Sequence, residues 1–171
     1  MDKIENIDIA TALKVLPELI ELLRDSVDSG ASIGFWSPLQ YETAFGYWQD
    51  IIKELEKGYR SLLVGYSHGK VVASAQLSFI SKQNGSHRVE LQKLMVHTKY
   101  RGLGYGRDIL TASEAEAKTR ECRLLFLDTR KGDAAEQLYI KQGYTCAGVI
   151  PQYIVEADGT FTDTVIYYKL L

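Results

Sequence analysis

The stretch RGLGYGRD, residues 101–108, restricts the fold more than any other part of the chain. Gly102, Gly104 and Gly106 alternate there, with Arg101 before them and Arg107 behind. RVELQKLMV (88–96) upstream has strand character. Downstream, Ile109, Leu110, Ser113 and Ala117 recur on one helical face. A glycine-rich segment is therefore expected to turn a strand into a helix. A helix N-terminus offers unpaired N–H groups and partial positive charge, both attractive to an anion. Glycine lets those groups approach a ligand and permits positive φ, and guanidinium pairs well with phosphate. A plain tight turn is the alternative; the density of glycine and arginine favours phosphate binding. A dinucleotide fingerprint would need glycine where Arg107 stands and would open a βαβ unit, whereas the strands before this loop form a meander. A Walker loop would end in Gly-Lys-Ser/Thr, which is absent.

The rest of the chain falls around this loop. Residues 9–28 are expected to form a helix, with Leu13, Leu16, Ile20, Leu23 and Val27 at helical spacing. Pro17 either bends it or marks its start. Ser37, Pro38 and Gln40 read as N-cap, first helical residue and capping-box partner of a second helix reaching about Lys57, closed by Gly58. Residues 61–66, 71–80 and 88–96 then form an antiparallel meander, with Asn84-Gly85 as a turn. After a helix over about 105–120, RLLFLD (123–128) reads as a short apolar strand, parallel to 88–96 through the crossover helix. A helix over 133–142, closed by Gly143, is followed by strands near 144–150, 152–156 and 162–169, with an Asp158-Gly159 turn before the last. The fold class is α/β in the mixed α+β sense, with 1–171 as a single domain. Its one mixed sheet is antiparallel in the N-terminal half, has a parallel pair in the middle, and carries helices on both faces.

Composition narrows the partners. A chain of 171 residues with net charge −2 has room for a real core and lacks the basic surplus that nucleic-acid binding needs. No apolar run nears the roughly 20 residues that span a bilayer, and MDKIENIDIA has no basic-then-apolar leader. No membrane partner and a cytoplasmic location are expected. Cys122 and Cys146 form no redox or zinc pattern and are expected to be reduced core residues. His68, His87 and His97 lack metal-ligand spacing, and no metal is expected.

Arg101, Gly104 and Gly106 fill the pattern Arg/Gln-x-x-Gly-x-Gly/Ala. In this the chain resembles the GNAT superfamily of acetyl-CoA-dependent N-acyltransferases. The order of helices, meander, loop, helix, strand, helix and terminal strands agrees over nearly its whole length. GASIGF (30–35), ASAQLS (73–78), VELQKLMV (89–96), FLDT (126–129), AEQLYIKQGYTCAG (135–148) and DGTFTDTVIYYK (158–169) look more narrowly like the tabtoxin-resistance type. The resemblance implies acetyl-CoA as acyl-donor cosubstrate and direct attack in a ternary complex. The acceptor it implies is a small-molecule amine: amino-acid-like, dipeptide-like, or a toxin or antibiotic. A protein N-terminus or lysine is the alternative acceptor, and a non-catalytic acyl-CoA sensor the alternative function. C-terminal strand edges leave room for a homodimer.

The resemblance also implies roles for particular residues. Arg101, Gly102, Leu103, Gly104, Tyr105, Gly106 and Arg107 would hold the diphosphate. Leu94, Met95 and Val96 would meet the acetyl and pantetheine arm through their backbone, in a gap where this strand splays from 123–128. Their side chains can form strand core at the same time. An acceptor α-amine titrates at about 8 and a lysine at about 10.4, so a base is needed at neutral pH. Glu90 stands 11 positions before Arg101, the spacing of the glutamate in histone-type members. Strict alternation would set it with Gln92, Leu94 and Val96 on one face, as a base with partial burial raising its pKa, or as a bystander while ordered water acts. Tyr139, in AEQLYIKQGY, matches the general acid that protonates the leaving thiolate, and equally suits a core aromatic. Asp128 and Thr129 either touch the cofactor's arm or cap a helix. Phe35, Trp36 and Tyr153, with Gln92, are candidates for the substrate side, against simple packing. Lys93 suits a carboxylate-bearing acceptor or solvent, and the sequence leaves both open.

Overall fold

The computed structural model describes residues 1–171. A seven-stranded sheet comprises β1 (Lys3–Asn6), β2 (Arg60–Ser67), β3 (Lys70–Phe79), β4 (Arg88–Val96), β5 (Leu124–Arg130), β6 (Thr145–Val155) and β7 (Phe161–Leu170). Their spatial order is β1-β2-β3-β4-β5-β7-β6. Every neighbouring pair is antiparallel except β4 with β5, which is parallel. Five helices accompany it: α1 (Ile9–Lys14), α2 (Leu16–Asp28), α3 (Tyr41–Glu56), α4 (Tyr105–Thr119) and α5 (Ala134–Lys141).

The mixed α+β architecture with a central parallel pair is as the sequence predicts, and helices cover both faces. On one face α1, α2 and α3 pack on Leu62, Val64, Tyr66, Val71 and Met95. Trp48 is fully buried there, and its Nε1 donates to the Leu19 carbonyl at 3.0 Å, joining α3 to α2. On the other face α4 and α5 cover Leu63, Ala73, Ala75, Leu77, Val89, Leu91, Leu125 and Leu127. The four α4 residues expected on one face, Ile109, Leu110, Ser113 and Ala117, are its buried ones. β2 is buried along its whole length because both of its faces are covered.

Several local expectations are corrected. The 9–28 helix is two helices, broken at Val15, with Pro17 in the first turn of the second, where its missing N–H costs nothing. Leu13 is consequently exposed. The second helix starts at Tyr41 with no capping box. Ser37 Oγ instead donates to Asp28 Oδ1 at 3.0 Å, and the same oxygen accepts the Leu39 N–H, so this segment is tied back to α2. β1 has no sequence signal: KIEN is a polar edge strand without alternation. The two strands expected over 144–156 are one, β6, whose register slips between Ile150 and Ile154 around Gln152 at φ +54°. Cys122 is buried, but Cys146 is exposed on β6, the sheet edge.

The most consequential correction lies in β4. Its register against β3 shifts between Ser74 and Gln76, so that Lys93 and Leu94 together oppose Ala75. Lys93 takes φ +48°. This extra residue inverts the alternation. Val89 and Leu91 pack on the α4 face, as do Leu94 and Val96, while Met95 enters the α2/α3 core. Glu90 and Gln92 therefore do not share a face with Leu94 and Val96. A period-2 pattern read from sequence has no means of registering a bulge.

Candidate active site

Parallel pairing joins Arg88, Val89 and Glu90 to Leu124, Leu125 and Phe126, and goes no further. β4 continues to Val96 and β5 to Arg130, so their facing edges part beyond Glu90. Backbone N–H and C=O groups along a parted edge are available to an added extended ligand.

Beyond the end of β4 lies the glycine segment. A 3-10 turn (Thr98–Tyr100) leads to Arg101, and α4 begins at Tyr105 with Gly104 as N-cap at φ +85°. The N–H groups of six successive residues, Gly102 to Arg107, find no acceptor in the protein; the first bonded one is Asp108, to the Gly104 carbonyl. Gly102 and Gly104 both have positive φ, which a side chain resists. Gly106 does not share the positive φ of the other two. A Cβ there would meet Leu138 Cδ2 at 3.4 Å and Val96 Cγ2 at 3.8 Å, ordinary contact distances that place Gly106 where α4 packs close to α5 and β4. The arginines are already engaged. Arg101 Nε donates to the Val96 carbonyl at 3.0 Å and its Nη2 to Ser29 Oγ at 2.8 Å. Arg107 holds Asp108 at 2.9 Å on the surface. Arg101 thus fixes the loop between β4 and the end of α2.

A cavity of about 760 Å³ opens where β4 and β5 part. Glu90, Gln92 and Leu94 line it from β4, Asp128 and Thr129 from β5, and Tyr139 from α5. Phe35 and Trp36 line it from the segment after α2, and Tyr153 from β6. The structure thus brings together both expected catalytic residues and all four expected substrate-side residues. Met95, Val96 and residues 101–107 lie outside this cavity. A second hollow, of about 540 Å³, lies between α2 and His97–Lys99 and holds none of the expected residues.

Tyr139 is buried, its ring 5.7 Å from that of Tyr144 and 6.1 Å from that of Tyr167. Burial, then the charges of Asp128 and Asp133, push its phenol well above the ordinary tyrosine range, so it stays protonated. Its hydroxyl has no hydrogen-bond partner in the protein. The half-buried Glu90 carboxylate likewise accepts no hydrogen bond from the protein. Gln92 is oriented from behind: Arg60 Nη1 donates to its Oε1 at 2.8 Å and to Gln76 Oε1 at 2.9 Å. Gln76 also accepts from Tyr47, whose phenol burial raises to about 12. Asp128 Oδ2 accepts from Thr164 Oγ1 at 3.0 Å.

Two contributors carry no sequence motif. Arg130 binds Asp133 at 2.8 Å, Glu156 at 3.3 Å and the Gly30 carbonyl at 3.0 Å. One guanidinium thereby ties β5 to α5, to β6 and to the segment after α2. Trp36 Nε1 donates to the Val155 carbonyl at 3.1 Å, joining two walls across 119 residues of sequence.

A split parallel pair, an amide-lined helix N-terminus and a cavity with a free carboxylate and a neutral phenol define the frame of an acyltransferase. The sequence matches the family described as acetyltransferase (GNAT) over residues 18–144, and the chain belongs to that family. It is an N-acetyltransferase whose cofactor is acetyl-CoA. Among solved structures it is similar to a ribosomal-protein-alanine N-acetyltransferase from Brucella melitensis, at 24% identity and TM-score 0.81 over 99% of both chains. It is also similar to a provisionally assigned acetyltransferase from Salmonella typhimurium solved with acetyl-CoA, at 20% identity and TM-score 0.78 over 99% of this chain and 93% of that one. A provisional phosphinothricin N-acetyltransferase matches at 19% identity and TM-score 0.77, over 99% and 98%. At these identities the likeness establishes the shared fold. No helix of this chain is long and apolar enough to cross a membrane.

Proposed function

We propose that residues 1–171 act as one unit that acetylates the amine of a small, amino-acid-like or dipeptide-like acceptor, a class that includes toxins and antibiotics of that form. One observation carries the reading: Glu90 and Tyr139 line a single cavity at the point where β4 and β5 part. Acetyl-CoA supplies an activated acyl group whose C–S bond is the one that breaks.

The residues divide the work. The Gly102–Arg107 amides hold the diphosphate, with Arg101 keeping their loop in register against Val96. The freed edge at Leu94–Val96 pairs with the pantetheine arm, with Asp128 and Thr129 across the gap. Glu90 takes the proton from the acceptor ammonium, directly or through water. Tyr139 Oη holds a proton ready for the departing sulfur. Its raised pKa keeps the proton on but makes the phenol a reluctant donor, so the sulfur's basicity must also rise as the bound substrates exclude water. Phe35, Trp36, Gln92 and Tyr153 enclose the acceptor. The Trp36–Val155 bridge supports a small acceptor, because it joins two cavity walls that a protein segment would have to pass. The name of the Brucella relative favours a second reading, a protein N-terminal alanine.

Thiol release from acetyl-CoA, followed over a panel of small amines and N-terminal peptides, tests this. Turnover with small amines, lost in Tyr139→Phe while acetyl-CoA still binds, supports the proposal. Turnover with peptides alone would transfer it to protein N-termini, and tight binding without any turnover would indicate a sensor.

A further inference from the structure

We infer that Lys93 selects the acceptor by binding its carboxylate, so that the substrate is an amine that also carries a carboxylate. This rests on the acetyl-transfer reading above and names the substrate class for the same cavity.

Lys93 lines that cavity with Glu90, Asp128 and Tyr139. It is half-buried, yet it has no carboxylate within 4.0 Å and no hydrogen bond. The protein's other well-covered cations behave differently. Arg60 is paired with Glu54 at 2.6 Å, Arg130 with Asp133 at 2.8 Å, and Lys169 with Glu114 at 2.8 Å. Arg130 also lines the cavity, but Asp133 and Glu156 already satisfy it. Lys93 is the cavity cation left for a ligand. A desolvated ammonium without a counter-ion is costly, and a ligand carboxylate removes that cost.

The backbone puts the ammonium there. Lys93 is the bulged residue of β4, at φ +48°, where a side chain is strained. The bulge turns it to the side of Glu90 and Gln92, and its Nζ lies 5.8 Å from the centre of the Tyr47 ring. A Cβ on Gly34 would come 3.7 Å from the same Nζ, so the ammonium lies beside the segment after α2 that carries Phe35 and Trp36. Burial, then the positive charge of Arg60, lowers the Lys93 pKa, while Asp128 and Glu90 oppose that shift. The surroundings are therefore bipolar. Glu90 suits the ammonium end of an acceptor, and Lys93 suits its carboxylate end.

The test compares amino acids with their carboxamides and with the matching decarboxylated amines, using thiol release with the full-length protein. Wild type is expected to favour the acid over the carboxamide in kcat/KM by about thirtyfold, the worth of one charge-assisted contact. In Lys93→Met that ratio is expected to fall to about one, through KM for the acid. Lys93→Arg, which keeps the charge, is expected to retain part of the preference. The inference is overturned if wild type treats acids and carboxamides alike, or if Lys93→Met lowers kcat for both equally and leaves the ratio intact. Turnover of carboxamides or amines but not of acids would sink the Lys93 assignment and leave acetyl transfer standing. No turnover with any of the three classes would sink both.

Discussion

The two ends of the site are built by opposite means. At the glycine loop the proposed work falls to the main chain: the six amides of Gly102–Arg107 have no acceptor in the protein, and the side chains are absent, exposed or occupied elsewhere. In the cavity it falls to side chains, which arrive from five separate parts of the fold held by Arg130 and Trp36. Main-chain recognition demands particular residues at fixed spacing, because glycine takes positive φ and allows close approach without the strain a side chain brings. Side-chain recognition demands only that the fold bring the right groups together. The first should therefore be sensitive to shape at glycine positions, and the second to the loss of single functional groups.

The largest effect is expected in the cavity. Tyr139→Phe should cost about a thousandfold in kcat, within the span of general acid catalysis, while calorimetry finds acetyl-CoA affinity unchanged. Burial raises the Tyr139 pKa, so its ionisation should not produce a falling limb in wild-type kcat below about pH 10. Weakened cofactor binding in Tyr139→Phe would blur the division between the two ends.

Glu90→Gln should lower the rate by about a hundredfold at neutral pH, and by less as rising pH deprotonates the acceptor unaided. A loss that is the same at every pH would mean that Glu90 acts through structure alone. At the other end, Gly104→Val places a β-branched residue at φ +85°. Losing one charge-assisted amide contact, worth roughly 2 kcal/mol, should weaken acetyl-CoA binding about thirtyfold. Acceptor selectivity should not move, and a shift in it would join what this account keeps apart. The smallest effect belongs to Trp36→Ala. Removing its bond to Val155, worth about 1 kcal/mol, should raise acceptor KM roughly fivefold and leave cofactor affinity alone.

The same contrast explains what the sequence could reveal. The glycine loop, the α4 face and the parallel pair were legible because each rests on local spacing. That Glu90 and Tyr139 share one cavity was to be expected only from the resemblance; nothing in their immediate sequence shows that they meet. The β4 bulge was hidden because one extra residue in a strand leaves no mark in a pattern of alternation. That bulge redirects Lys93 and moves Leu94 and Val96 to the other face. Arg130 was invisible for a related reason: its three partners are 3, 26 and 100 positions away. The break at Val15 was half visible, since Pro17 marked a discontinuity without saying whether the helix bends or restarts.

The central claim is that main-chain amides of the glycine loop grip the diphosphate of acetyl-CoA. A crystal structure of the protein grown with saturating acetyl-CoA tests it directly. Diphosphate oxygens within hydrogen-bonding reach of several N–H groups between Gly102 and Arg107, with the thioester end beside Tyr139, are the expected result. A coenzyme bound elsewhere, or a loop whose amides stay unpaired at saturation, would contradict it.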